Sequence, residues 1–147
     1  MNAASQAITI ELTQKIAHLA VLVRAEFPDT QVDLNPWLRD SKTQQQLDRY
    51  SIDLSFHLPR HADALACTCI LMEVKFSEGL LCPGCRLSGI NAWGFDRQQQ
   101  QWQFSSAEQV FSGFSIPQYL AQARFIRLTE RIARIFKSFN SRMSHEA

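Results

Sequence analysis

Apolar and polar residues alternate along this chain with two different periods, and the change of period marks its elements. Leu12, Ile16, Leu19, Ala20, Val23 and Phe27 recur at steps of about three and four, which predicts a helix from about Thr9 to Glu26 with one apolar face. Phe27-Pro28-Asp29 ends it, because proline lacks an amide donor and restricts the residue before it. Asn35-Pro36 has the form of a helix cap followed by proline at the first helical position, so a short helix is expected to carry Trp37 and Leu38, with another near Thr43 to Asp48.

From Tyr50 the period drops to two. Ile52, Leu54, Phe56 and Leu58 alternate with Ser51, Asp53, Ser55 and His57, the signature of a half-buried strand. A second strand is expected from about Thr68 to Phe76, with Ile70, Met72, Val74 and Phe76 turned inward. Matching the two apolar faces requires even positions to meet even positions, and a register with Asp53 opposite Lys75 does this. The third and fourth strands are placed at about Leu87 to Phe95 and Gln101 to Phe104. A hairpin that pairs Phe95 with Trp102 brings Trp93, Phe95, Trp102 and Phe104 to one face. Those aromatics form either a core under a helix or a base-stacking platform, and core packing is the commoner use.

Helical signals then return. Ser105-Ser106-Ala107-Glu108 has capping-box spacing and predicts a short helix ending at Gly113. Ser115-Ile116-Pro117 opens a long helix to about Phe139, with Phe125, Leu128, Ile132, Ile135 and Phe139 on one face. The expectation is one α+β domain over 1–147: an N-terminal helix, a four-stranded antiparallel β-meander, and a long C-terminal helix packed on the sheet.

Composition sharpens this picture in three places. At 46% hydrophobic and 20% charged residues, the chain has the composition of a globular domain and not of a disordered one. No apolar run reaches the roughly 18 residues of a membrane span, and the first residues lack the pattern of a secretory signal, so a cytoplasmic protein with reduced thiols is expected. The net charge of +1 is unevenly placed: residues 1–116 hold nine Lys/Arg against twelve Asp/Glu, and residues 117–147 hold six against two. Arg124, Arg127, Arg131 and Arg134, followed by Arg142, form a stripe beside the apolar face of the last helix. Such a stripe serves either as a binding surface for an acidic protein or for phosphates, or as a solvated face paired with the acidic remainder of the chain.

Two groups carry candidate chemistry. Cys67, Cys69, Cys82 and Cys85 supply enough thiolates for a zinc site, but a hairpin between the second and third strands holds the pairs roughly 10 Å or more apart, too far for shared ligation. The CxxC pair lacks the following helix that lowers a redox thiol's pKa. Reduced cysteines acting as small apolar side chains are favoured. Asp53 on one strand, with Glu73-Val74-Lys75 on the next, resembles the metal-dependent PD-(D/E)xK nucleases, as does a preceding helix bearing Glu11 and Glu26. In that family the acids hold Mg²⁺ and the lysine activates water. The chain departs from the pattern in having Ile52 where a proline precedes the aspartate, and strands after Lys75 where a helix is usual. The alternative for these three residues is a cross-strand ion pair.

The leading expectation is a non-catalytic interaction or accessory protein that needs no cofactor. It would bind a protein partner or dimerise through its sheet and C-terminal helix, with nucleic acid as a further possible ligand of the basic helix. A PD-(D/E)xK-like nuclease using Asp53, Glu73 and Lys75 is the second reading, and a zinc-stabilised binding module is the third.

Overall fold

The computed structural model describes residues 1–37, 50–62, 64–97 and 99–146, without the side chains of 60–62 and 137–146. Two helices precede the sheet: α1 (Ala3–Gln6) and α2 (Ile10–Glu26). Thr9 caps α2, its Oγ1 accepting from the Leu12 amide at 3.1 Å. Six strands follow: β1 (Gln31–Asp33), β2 (Ser51–Ala62), β3 (Cys67–Phe76), β4 (Leu87–Asp96), β5 (Gln99–Ser105) and β6 (Val110–Gly113). They pair antiparallel in sequence order, and α3 (Tyr119–Glu146) closes the fold. The architecture is α+β with an antiparallel sheet and a C-terminal helix, as expected.

The sheet has six strands where periodicity indicated four. β1 is only three residues long, too short for alternation to register. β6 lies where a helix from Ser105 was expected. Ser105 instead stays in the sheet, opposite Asn91 and Val110, and residues 106–109 turn the chain. Ser106 serves that turn: its amide donates to Ile90 O, and its Oγ accepts from Ile90 N at 2.9 Å. Cross-strand bonds to β4 here outweigh a local capping box. Residues 35–37 bend without forming a helix, Asn35 N bonding Asp33 Oδ1 at 2.8 Å, and the helix expected near Thr43 to Asp48 lies outside the described residues.

Two registers also differ from expectation. Asp53 stands opposite Glu73, not Lys75, while even positions still meet even ones: Ile52↔Val74, Leu54↔Met72, Phe56↔Ile70. The shift of two leaves the faces intact and is absorbed beyond His57, where the β2–β3 ladder is irregular. Between β4 and β5 the shift is one residue, and a bulge at Gly94/Phe95 pairs Gly94 with Trp102 and Ala92 with Phe104. An odd shift turns side chains to the other face. Trp102 and Phe104 are therefore buried, whereas Trp93 and Phe95 lie on the opposite face, only partly buried, beside Leu71 and Cys69 of β3. Gly94 makes room for the Trp102 indole, which a Cβ at that position would overlap, and Trp102 Nε1 donates to Leu65 O at 2.8 Å.

The core fills the helix side of the sheet. Phe125 of α3 packs against Phe27, Trp102, Phe104 and Phe111, with ring centroids 5.3–6.4 Å away and mostly edge-on. Leu128, Ile132 and Phe136 continue this seam, and Phe136 meets Phe76 edge-on at 5.2 Å. Leu12, Ile16, Leu19 and Val23 of α2 complete it. Among the described residues no helix is long and apolar enough to cross a membrane.

Candidate functional site

Asp53 sits on the face of β2 turned away from the core, yet it is only 1% exposed. Met1, Asn2 and Trp37 cover it. Asp53 Oδ2 accepts from the Met1 α-amino group at 2.8 Å and from Trp37 Nε1 at 2.6 Å, and the same amino group donates to Ser51 Oγ at 2.7 Å. Asn2 ties the cover together by exchanging bonds with the Trp37 backbone, and the Asp53 amide donates to Met1 O at 2.8 Å. Among the described residues Asp53 Oδ1 has no hydrogen-bond partner. Glu73 lies directly across the ladder, with its carboxylate 3.8 Å from Lys75 Nζ. The three residues of the nuclease-like pattern thus share one sheet face. Asp53, however, is enclosed and its Oδ2 is engaged by two donors, which is the chemistry of an anchor for the residues above it. Trp37 in this role gave no signal in the sequence, because its partner is sixteen residues away and on another element.

Glu26, proposed to accompany Asp53, belongs to the other side of the molecule. Buried at the last turn of α2, it is met by three of the arginines of the basic stripe. Arg124 Nε and Arg127 Nη2 each lie 3.3 Å from Glu26 Oε1, and Arg131 Nη1 lies 3.7 Å from Oε2. Arg124 also donates to Glu26 O and stands over the Phe27 ring at 5.0 Å. A carboxylate at a helix C-terminus opposes the helix dipole. Three guanidinium groups offset that and bind α3 to α2. The side chains of Arg124, Arg127 and Arg131 remain 43–56% exposed, so their outer edges still face solvent. Arg134 lines a shallow cavity between the two helices with Lys15, His18, Leu22, Arg131 and Ile135.

The cysteines divide into two distant pairs. Cys67 and Cys69 begin β3, whereas Cys82 and Cys85 lie in the long turn after it, closed by Ser77 N to Arg86 O at 2.9 Å. The hairpin expected between the second and third strands is thus joined by a long turn, residues 77–86. The seven residues from Cys69 to Phe76 alone span roughly 23 Å, so the four thiols do not converge. Among the described residues no three His, Cys, Asp or Glu side chains are grouped to hold a metal ion. None of the four cysteines is joined in a disulfide. Burial pushes the Cys67 thiol up to about 12, and burial also raises Cys69 and Cys85 above the usual thiol value.

A different surface is conspicuous. Phe114 is 98% exposed, Tyr119 82%, Leu120 75% and Ile116 47%, and all four fall between the end of β6 and the first turn of α3. They gather at one end of the sheet: Ser115 N bonds Gln101 O at the start of β5, and Gln118 N bonds Ala64 O before β3. Val110, 57% exposed, adds to them from β6 itself. Sequence reasoning passed over these residues because Phe114 and Ile116 fit no period and Tyr119 and Leu120 were taken up by the helix.

Residues 4–139 match a family model described as a domain of unknown function. The chain belongs to that family. The match runs from α1 into α3 and so includes the Asp53 cover, the Glu26 cluster and the exposed apolar residues. No curated protein and no solved structure matches the chain.

Two outcomes follow from these contacts. Glu26→Gln is expected to lower stability by about 2 kcal/mol, less than a fully buried ion pair would lose because the arginines are half in water. An unchanged urea midpoint would remove Glu26 from this role. With thiol reagent at pH 8, Cys82, which is exposed, is expected to react in the native protein. Cys67 is protonated far above that pH and enclosed, so it should react only on unfolding, as peptide mapping of the labelled chain would show.

Proposed function

We propose that this protein is a non-catalytic, cytosolic interaction domain that binds a protein partner or a second copy of itself through the end of its sheet and the start of its C-terminal helix. The observation that carries this reading is the group Phe114, Ile116, Tyr119 and Leu120, large apolar side chains held in water within seven residues. Monomeric surfaces rarely gather such residues, and contiguous exposed apolar patches mark contact sites. Aromatic side chains dominate contact energies where they are desolvated on binding. The neighbouring strand β6 ends the sheet, so its outer backbone groups offer hydrogen bonds to an added strand. The enclosure of Asp53 supports a structural use of that carboxylate over a hydrolytic one.

A Phe114→Ser/Tyr119→Ser/Leu120→Ser variant is expected to keep the fold, since these side chains contribute little to the core. It should lose the protein crosslinks that the native chain forms in extract of its own cells. Crosslinks unchanged in the variant would move the contact elsewhere. Asp53→Asn separates this reading from the nuclease-like one: the interaction reading expects retained crosslinks and no Mg²⁺-dependent cleavage of DNA or RNA by either protein. Cleavage by the native chain that disappears in Asp53→Asn would overturn it.

A further inference from the structure

We infer that the occupant of this surface is a second copy of the same chain, docked by antiparallel pairing of β6 with β6 about a two-fold axis near Ser112; this rests on the interaction reading above. The edge itself is the first argument. β6 is the last strand of the sheet, and an antiparallel partner of the same sequence satisfies its outer backbone groups symmetrically. A pairing centred on Ser112 sets Phe111 of each copy opposite Gly113 of the other, and brings exposed Val110 beside the end of the partner's strand, where exposed Phe114 projects.

Shape is the second argument. Val110 and Ser112, with Trp93, Gln103 and Glu108, line a shallow hollow on the outer face of β4, β5 and β6. Phe114, two residues beyond Ser112 and 98% exposed, is the matching projection. Each copy therefore carries one hollow and one knob, and in a closed pair of copies a two-fold arrangement fills both.

Charge and area are the third. Residues 109–123 contain no Asp, Glu, Lys, Arg or His, so two copies of this segment meet without like-charge repulsion. An aromatic side chain carries roughly 150–250 Å². Taken with the exposures of Val110, Phe114, Ile116, Tyr119 and Leu120, the five side chains present on the order of 700 Å². With the backbone of β6 added, that approaches the ~800 Å² per partner of a stable interface.

Ser112 is exposed, so charging it leaves the fold alone while placing like charges together at the axis. Sedimentation equilibrium of the native chain is expected to show a reversible dimer. S112K and S112E should each weaken it about 100-fold, and their equimolar mixture should restore it to near the native value, because opposite charges then face each other. A native chain that stays monomeric at its solubility limit overturns the proposal, as does a dimer that S112K leaves intact, or a mixture that remains monomeric. If the native chain is monomeric but the triple patch variant still loses its crosslinks in extract, self-pairing falls and the interaction reading stands. If those crosslinks also persist, both fall.

Discussion

The packing of Phe125 into the aromatic layer of β5 and β6 is the contact on which the remaining structure turns. A twisted antiparallel sheet with one apolar face cannot leave that face in water, and α3 supplies the surface that covers it. Phe125 touches rings from the end of α2, from β5 and from β6, so one side chain joins α2 to the last strands. Truncating a fully buried phenylalanine of this kind costs about 3–5 kcal/mol, a large share of what holds a domain folded. The Glu26–arginine cluster acts beside it. It ties α3 to the last turn of α2 through a carboxylate that the macrodipole of α2 would otherwise disfavour.

The two faces of the sheet have divided their tasks. Helices seal one. Among the described residues the other is covered over β2, where Met1, Asn2 and Trp37 close on Asp53, while toward β4 Trp93 and Phe95 are only partly buried. A carboxylate buried next to a second acid, Glu73, is stable only with donors at hand, and the amine and the indole provide them. Asp53, one of the three residues that resemble a nuclease centre, is thereby the acceptor that holds Met1 and Trp37 to the sheet.

At the edge the constraint is different. β6 is short, which is one of the ways natural sheets discourage unwanted pairing, but it lacks the charges that usually accompany an exposed edge. Gly113, with φ of 141°, turns the chain where a Cβ would run into the backbone of Gln101 and Trp102, and so directs Phe114 outward. An uncharged edge with a projecting aromatic is unfavourable in isolation and favourable only when covered. That is the ground for proposing the contact surface here; on the arginine stripe, Glu26 already engages three of the guanidinium groups.

Amino-acid order alone determined the helix at 10–26, the alternation of β2 and β3, the long final helix and the α+β class, because each is a local period that burial of one face enforces. It also determined that even positions of β2 and β3 face the core. Tertiary structure decided everything that depends on distance along the chain. The bulge at Gly94 sent Trp93 and Phe95 away from Trp102 and Phe104, and Ser106 made a turn to β6 from what reads locally as a helix cap. The arginines found Glu26 almost a hundred residues away, and Asp53 found Trp37. A period shows which face of an element is apolar, but it does not show how far that element slides along its neighbour. That last quantity is set by hydrogen bonds and side-chain volumes that meet only once the chain has folded.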